Sequence, residues 1–179
     1  LEEANKNLYD GVSLEDARTS LVMTSRTLVE QEPNYTYVTA RILLDNIRTE
    51  SLTYLGMQNQ ATQKEMESLY PEALRCFLAK GGENEILNPE LLEMNVKKLG
   101  KAIVSTRDND FTYLGLQTLY DRYFIHHDEV RYELPQVFFM RVSMGLALRE
   151  DQREERAIEF YNLLSSFDYM SSTPTLFNS

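Results

Sequence analysis

The stretch Leu134-Pro135-Gln136-Val137-Phe138-Phe139-Met140-Arg141-Val142-Ser143-Met144 decides how the fold is read. Pro135 suits the first turn of a helix, where its missing N–H is no loss. The spacing that follows predicts a helix from Gln136 to Leu148. That helix is apolar almost all round, so it belongs in the middle of a fold and not on its surface. Arg141 lies inside it, and a guanidinium in such a place must be received by a carboxylate or carbonyl group. Two roles are open to it: an internal salt bridge to an acidic residue, or a group that orients an active-site region.

Helical patterning continues on both sides. Upstream, Ser13 suits an N-cap, with Glu15 and Asp16 in the first turn and Leu14, Ala17, Leu21, Thr24 and Leu28 at 3/4 spacing up to about Gln31. Pro33 and Asn34 interrupt, and a second helix runs from Tyr35 to about Leu52 with Val38, Ile42, Leu43 and Ile47 on one face. Leu55 to Gln60 reads as a loop. A third helix spans Ala61 to Lys80, with Pro71 expected to kink it or start a new turn and Gly81-Gly82 expected to end it. Asn88 and Pro89 open a fourth, which the spacing of Leu92, Val96, Leu99 and Ile103 carries to about Thr106. Asp108 to Asp110 read as a polar turn, and Phe111 to Arg122 as a further helix.

Tyr123-Phe124-Ile125 and Val130-Arg131-Tyr132 flank a four-residue polar turn, His126 to Glu129, which indicates a small hairpin. Downstream of the apolar helix, Glu150 to Glu155 is a charged connection and Ala157 to Tyr169 the last helix. Met170 to Ser179, with its Ser, Thr and Pro residues, reads as extended. The fold class is therefore mainly α with one small β-hairpin.

Composition limits the function. The chain has 179 residues and a formal net charge of −10, with 42% apolar residues. This is a globular composition, and a chain of this length buries roughly 70% of its unfolded surface. The acidic balance speaks against a nucleic-acid or anionic-membrane surface, and no apolar run approaches the ~18 residues of a membrane span. A single cysteine, Cys76, rules out an internal disulfide and implies a reducing, cytoplasmic setting. With His126 and His127 it makes no zinc pattern, and the many glutamates lack the Glu-x-x-His repeats of a carboxylate-bridged metal pair. Neither a phosphate-binding glycine loop nor a G-x-S-x-G elbow is present, so no catalytic and no metal-ligating residue is assigned. The run Ser171-Ser172-Thr173-Pro174-Thr175 offers neutral donors of the kind that bind phosphate. The opening on Leu1 and the close on Ser179 lead to the expectation of a piece of something longer.

Four blocks resemble the large, catalytic subunit of class I ribonucleotide reductase. They are Tyr35-Thr36-Tyr37-Val38-Thr39-Ala40-Arg41, then Phe111-Thr112-Tyr113-Leu114-Gly115 through Leu119-Tyr120, then Glu133 to Val142, and finally Ser172-Thr173-Pro174-Thr175-Leu176-Phe177-Asn178. The resemblance implies a helical N-terminal domain leading into the first strand of a ten-stranded α/β barrel that is absent from this chain. It implies three segments: 1–52 as a remnant of ATP-cone-like helices, 53–169 as the helical domain, and 170–179 as the start of the barrel. Thr175 maps onto the family's contact to the diphosphate of a ribonucleoside diphosphate substrate.

The same resemblance implies reduction of that substrate by thiyl-radical chemistry. Its partners would be the remainder of the large subunit, a radical-generating small subunit and a thioredoxin-type reductant, with ATP and dNTP effectors. The three thiols of that chemistry are not matched here, since Cys76 corresponds to none of them. The region from Tyr9 to Arg48 resembles the last two helices of the regulatory cone, yet Leu14 and Thr49 stand where a nucleotide-binding cone carries a hydroxyl and a lysine. Those helices are expected to serve as packing. The alternative is a non-catalytic helical interaction module derived from, or docking on, a reductase.

Overall fold

The computed structural model describes residues 10–178; the parts of the expected cone remnant before Asp10, and Ser179, lie outside the described residues. The chain opens on α1 (Leu14–Thr27), capped by the Ser13 hydroxyl, which accepts from the Asp16 amide at 3.0 Å. A 3₁₀ turn, Leu28–Glu30, leads to α2 (Tyr35–Tyr54). These two helices pack together, and between them the hydroxyls of Ser25 and Thr39 lie 2.8 Å apart in the interior.

Next comes α3 (Gln63–Glu83), started by a capping box in which Thr62 and Glu65 satisfy each other's backbone amides. It runs through Pro71 and continues past Gly81-Gly82, where an end was expected. The glycine has a different purpose there. A Cβ on Gly81 would stand 2.3 Å from Leu87 Cδ1, so the missing side chain lets the returning chain lie on the helix. The reversal itself falls on Glu85, at φ +54°.

The single helix expected from Asn88 to Thr106 is in fact three short pieces. A 3₁₀ turn (Pro89–Glu93), α4 (Val96–Ala102) and a second 3₁₀ turn (Ser105–Asp110) follow one another. Met94 is extended, and the Asn95 side chain accepts from the Lys98 amide at 3.0 Å, so a fresh N-cap divides the pattern. The apolar 3/4 spacing runs across the break without marking a common buried face: Leu92, its first position, is exposed, and Leu91 and Met94 enter the core instead.

α5 (Tyr113–Arg122) is capped by Thr112. The hairpin is tighter than expected: β1 (His126–His127) pairs antiparallel with β2 (Val130–Arg131), leaving Asp128-Glu129 as a two-residue turn. Both turn residues are left-handed, at φ +49° and +66°, which matches the twist of the strands. The histidines are therefore strand residues. α6 (Pro135–Ala147) is buried on nearly every side, as its composition required. It packs along α7 (Arg153–Ser165), which begins earlier than expected because Glu154 and Glu155 suit a first turn. Phe167, at φ +62°, ends α7 and puts its ring against Phe111 and Phe139.

The tail corrects one expectation outright. Residues 173–178 are not extended but form α8 (Thr173–Asn178). The Ser172 carbonyl accepts from the amides of Thr175 and Leu176 at 3.1 and 3.3 Å. Pro174 fits the first turn of a helix as readily as it fits an extended loop, so the Thr-Pro-Thr run does not by itself fix its conformation. One hydrophobic cluster reaches from Val22 on α1 to Leu176 on α8, across the 52/53 division of the chain.

The approach of α3 and α4 rests on Gly100, whose added Cβ would meet the Pro71 backbone Cα at 2.9 Å. Backbone cannot rotate away as a flexible side chain can. Gly100→Ala is expected to lower stability by about 1–3 kcal/mol through overpacking, read as a drop in the urea midpoint with an unchanged slope.

Candidate functional site

Burying α6 puts two of its polar side chains, Gln136 and Arg141, out of reach of water, and each is answered by a carboxylate. Arg141 is 2% exposed and Glu133, on the extended lead-in to α6, is fully buried. Arg141 Nε donates to Glu133 Oε1 at 2.6 Å, and Nη2 reaches Oε2 at 3.4 Å. The same carboxylate accepts from the Ile125 amide at 2.9 Å, which ties the pair to the residue preceding the hairpin. Of the two roles open to Arg141, the structure thus shows the internal salt bridge.

Gln136 joins a second centre. Asp108 is buried and accepts from Gln136 Nε2 at 2.9 Å, from Arg48 Nη2 at 2.9 Å and from the Tyr70 hydroxyl at 2.8 and 3.0 Å. Burial pushes the Asp108 carboxyl above its ordinary value, while Arg48, Gln136 and Tyr70 pull the other way. Burial, reinforced by the Asp108 charge, likewise lifts the Tyr70 phenol well above its usual range. Gln136 Oε1 in turn accepts from Tyr161, whose oxygen takes the Val104 amide at 2.9 Å. Polar atoms of α2, α3, α6, α7 and the 3₁₀ turn Ser105–Asp110 meet here. The arrangement binds helices together: the carboxylate of Asp108 and both ends of the Gln136 amide are taken up by protein groups, while Arg48 Nε is buried without a hydrogen-bond partner.

The sequence-predicted binding residue, Thr175, lies half-buried in the first turns of α8. Leu176 beside it is 4% exposed and enters the core. On the other side of the helix, the hydroxyls of Thr173 and Tyr123 are 2.9 Å apart, and the Phe177 ring lies 5.3 Å from the Tyr123 ring. A cavity of about 490 Å³ adjoins this contact, lined among others by Arg122, Tyr123, His126, Arg141, Gly145 and Phe177. Thr175, two residues before Phe177 on α8, is therefore near the end of the molecule where Arg141 lines the cavity.

A larger cleft of about 860 Å³ lies between α1, α2, α5 and the hairpin. Leu14 and Thr49, the two departures from a nucleotide-binding cone, both line it. So do Arg18 and the carboxylates of Glu15, Glu50, Asp128 and Glu129, an acidic wall that repels phosphate. Cys76 sits half-buried on α3, where burial pushes its thiol up, away from the thiolate needed for nucleophilic work. His127 Nδ1 is 3.1 Å from the Tyr54 hydroxyl, and His126 is exposed at the cavity edge. Sequence reasoning missed Asp108 and Tyr123. Asp108 gave no signal, since an Asp-Asn-Asp run looks like a solvated turn; Tyr123 could have been found from its place at the end of a helix next to a hairpin.

A buried, acid-braced helix flanked by a hairpin and a Thr-Pro-Thr tail defines a helical scaffold domain. Residues 109–179 match the family model described as the all-alpha domain of ribonucleotide reductase. The chain is 41% identical to the ribonucleoside-diphosphate reductase subunit alpha of Chlamydia muridarum over 177 residues, covering 98% of this chain and 16% of that protein. It is 29% identical to the subunit alpha of Helicobacter pylori, covering 98% of this chain and 21% of that one. Against the large subunit of Caenorhabditis elegans it is 30% identical, with 96% and 21% covered. The chain belongs to the ribonucleotide reductase large-subunit family and corresponds to its N-terminal part. It spans about a sixth to a fifth of the length of these relatives.

Arg141→Met is expected to strand Glu133 in the interior and lower stability by roughly 3 kcal/mol or more. Adding Glu133→Leu should recover most of that loss. Urea denaturation of the two variants beside the parent checks both expectations; a single variant as stable as the parent would mean that Glu133 is otherwise satisfied.

Proposed function

We propose that this chain is the N-terminal scaffold of an enzyme that reduces ribonucleoside diphosphates to deoxyribonucleoside diphosphates, and that Thr175 contacts the substrate diphosphate. The observation that carries the reading is the 41% identity sustained over 98% of the chain with a reductase subunit alpha. The half-buried position of Thr175 on a tail anchored by Leu176 supports its part in it. Residues 1–52 derive from regulatory-cone helices, 53–169 form the helical domain, and 170–179 begin the segment that joins the barrel. The redox thiols belong to the rest of the large subunit, because the chemistry needs three and Cys76 is the one this chain has. The complete enzyme works in the cytoplasm with a radical-generating small subunit and a thioredoxin-type reductant, under control of ATP and dNTP effectors.

The cone-derived helices do not hold ATP. The acidic lining around Leu14 and Thr49 supports this, since a triphosphate would meet Glu15, Glu50, Asp128 and Glu129. Millimolar ATP is expected to leave the melting temperature of the chain unchanged; specific binding would raise it as ligand exceeds Kd. Among the described residues no helix is long and apolar enough to cross a membrane.

The test of the substrate reading is Thr175→Ala in the assembled enzyme. Losing a hydrogen bond to a charged phosphate should weaken ribonucleoside diphosphate binding by about 1–2 kcal/mol, measured by equilibrium binding. Unchanged affinity would remove Thr175 from the site. Deoxynucleotide formation by the isolated chain, given small subunit and dithiol, would contradict the placement of the thiols elsewhere.

A further inference from the structure

The contact between α5's end and α8 has a consequence for the substrate. Tyr123 follows the last residue of α5 and is half-buried, its ring 6.4 Å from Phe138 of the central helix α6. From that fixed base it touches α8 at two points one helical turn apart. Its hydroxyl is 2.9 Å from Thr173 Oγ1, and its ring is 5.3 Å from the Phe177 ring. Residues i and i+4 share a helix face, so a single side chain grips one face of α8. Thr175, two residues from each, points to the other side, since each residue turns about 100° around the axis. Leu176 sets the depth of α8 in the core, and the two Tyr123 contacts resist rotation about the helix axis.

We infer that Tyr123 is a positioning residue for substrate binding: it fixes the rotation of α8 and thereby aims the Thr175 hydroxyl at the diphosphate. The inference rests on the Thr175 reading above. Tyr123 itself makes no contact with substrate. Its contribution comes through pre-organisation, because a hydrogen-bonding group held in its productive direction loses less freedom on binding.

The experiment uses the complete large subunit with its small subunit and a ribonucleoside diphosphate. Four variants are compared: Tyr123→Phe, Thr173→Val, Thr173→Ser and Thr175→Ala, with Tyr123→Phe also made in the Thr175→Ala background. Tyr123→Phe keeps the ring and removes the hydroxyl, and should raise KM about three- to ten-fold, the range for one net hydrogen bond, with kcat and melting temperature close to the parent. Thr173→Val should do the same, and Thr173→Ser, which keeps a hydroxyl, should restore the parent KM. In the Thr175→Ala background Tyr123→Phe should add nothing further. If Thr175→Ala raises KM but Tyr123→Phe does not, the positioning role is wrong and the Thr175 reading stands. An equal effect of Tyr123→Phe with and without Thr175 also overturns the positioning role, since Tyr123 would then act by another route. A normal KM for Thr175→Ala overturns both.

Discussion

A helix buried on nearly every side can keep polar side chains in the interior only if the surrounding chain satisfies each of them, and that constraint organises this molecule. α6 carries Gln136 and Arg141 into the interior, and it is their demands that fix its neighbours. Arg141 requires a carboxylate, which places Glu133 and, through the Ile125 amide, the approach to the hairpin. Gln136 bridges Asp108 and Tyr161, which places the 3₁₀ turn Ser105–Asp110 against α6 and α7. Apolar contact alone would allow α6 to slide or rotate with little loss, since Val, Phe and Met fill space adaptably. The ionic and amide contacts remove that latitude: a displaced α6 would leave buried charge unpaired, which is far costlier than an imperfect apolar fit.

How much of this could be read in advance follows from what is local. α1, α2, α3 and α6 come from periodicity and caps, and their positions differ from the expected ones by a few residues. The need of Arg141 for an internal partner was legible from its apolar setting, but the identity of that partner was not, because Glu133 precedes the helix and its direction depends on the chain path. Asp108 was illegible for a deeper reason. Its donors stand at 48, 70 and 136, so nothing near it in sequence distinguishes a buried hub from a solvated turn. The break at Asn95 was hidden because Leu92 continues the helical spacing by sequence, although it is Leu91 and Met94 that enter the core. The tail was misread because Ser, Thr and Pro serve loops and helix starts equally well. The candidate site is in the same position: Thr175 came from resemblance, and the Tyr123 contact that holds its helix depends on tertiary packing.

The α1–α2 pair shows what the fold does with an element of regulatory appearance. A module that moves relative to its neighbour requires an interface it can release, and interfaces of that kind are modest and polar. α2 has the opposite character. Ala40, Leu43, Leu44, Ile47 and Leu52 enter the same core as α3 and α6, and Arg48 gives its charge to Asp108. At one end the Thr36 hydroxyl accepts from the Tyr113 amide at 3.1 Å; toward the other, Glu50 accepts from the Tyr120 hydroxyl and the Arg131 amide at 2.7 and 2.8 Å. Swinging α2 away would expose the core and leave the Asp108 carboxylate without its guanidinium. An effector could drive that movement only through a difference in affinity for the two states large enough to offset the exposed core and the unpaired charge. α2 is fastened in this way along its whole length, whereas α1 sends only Val22 and Ser25 inward and leans on α2.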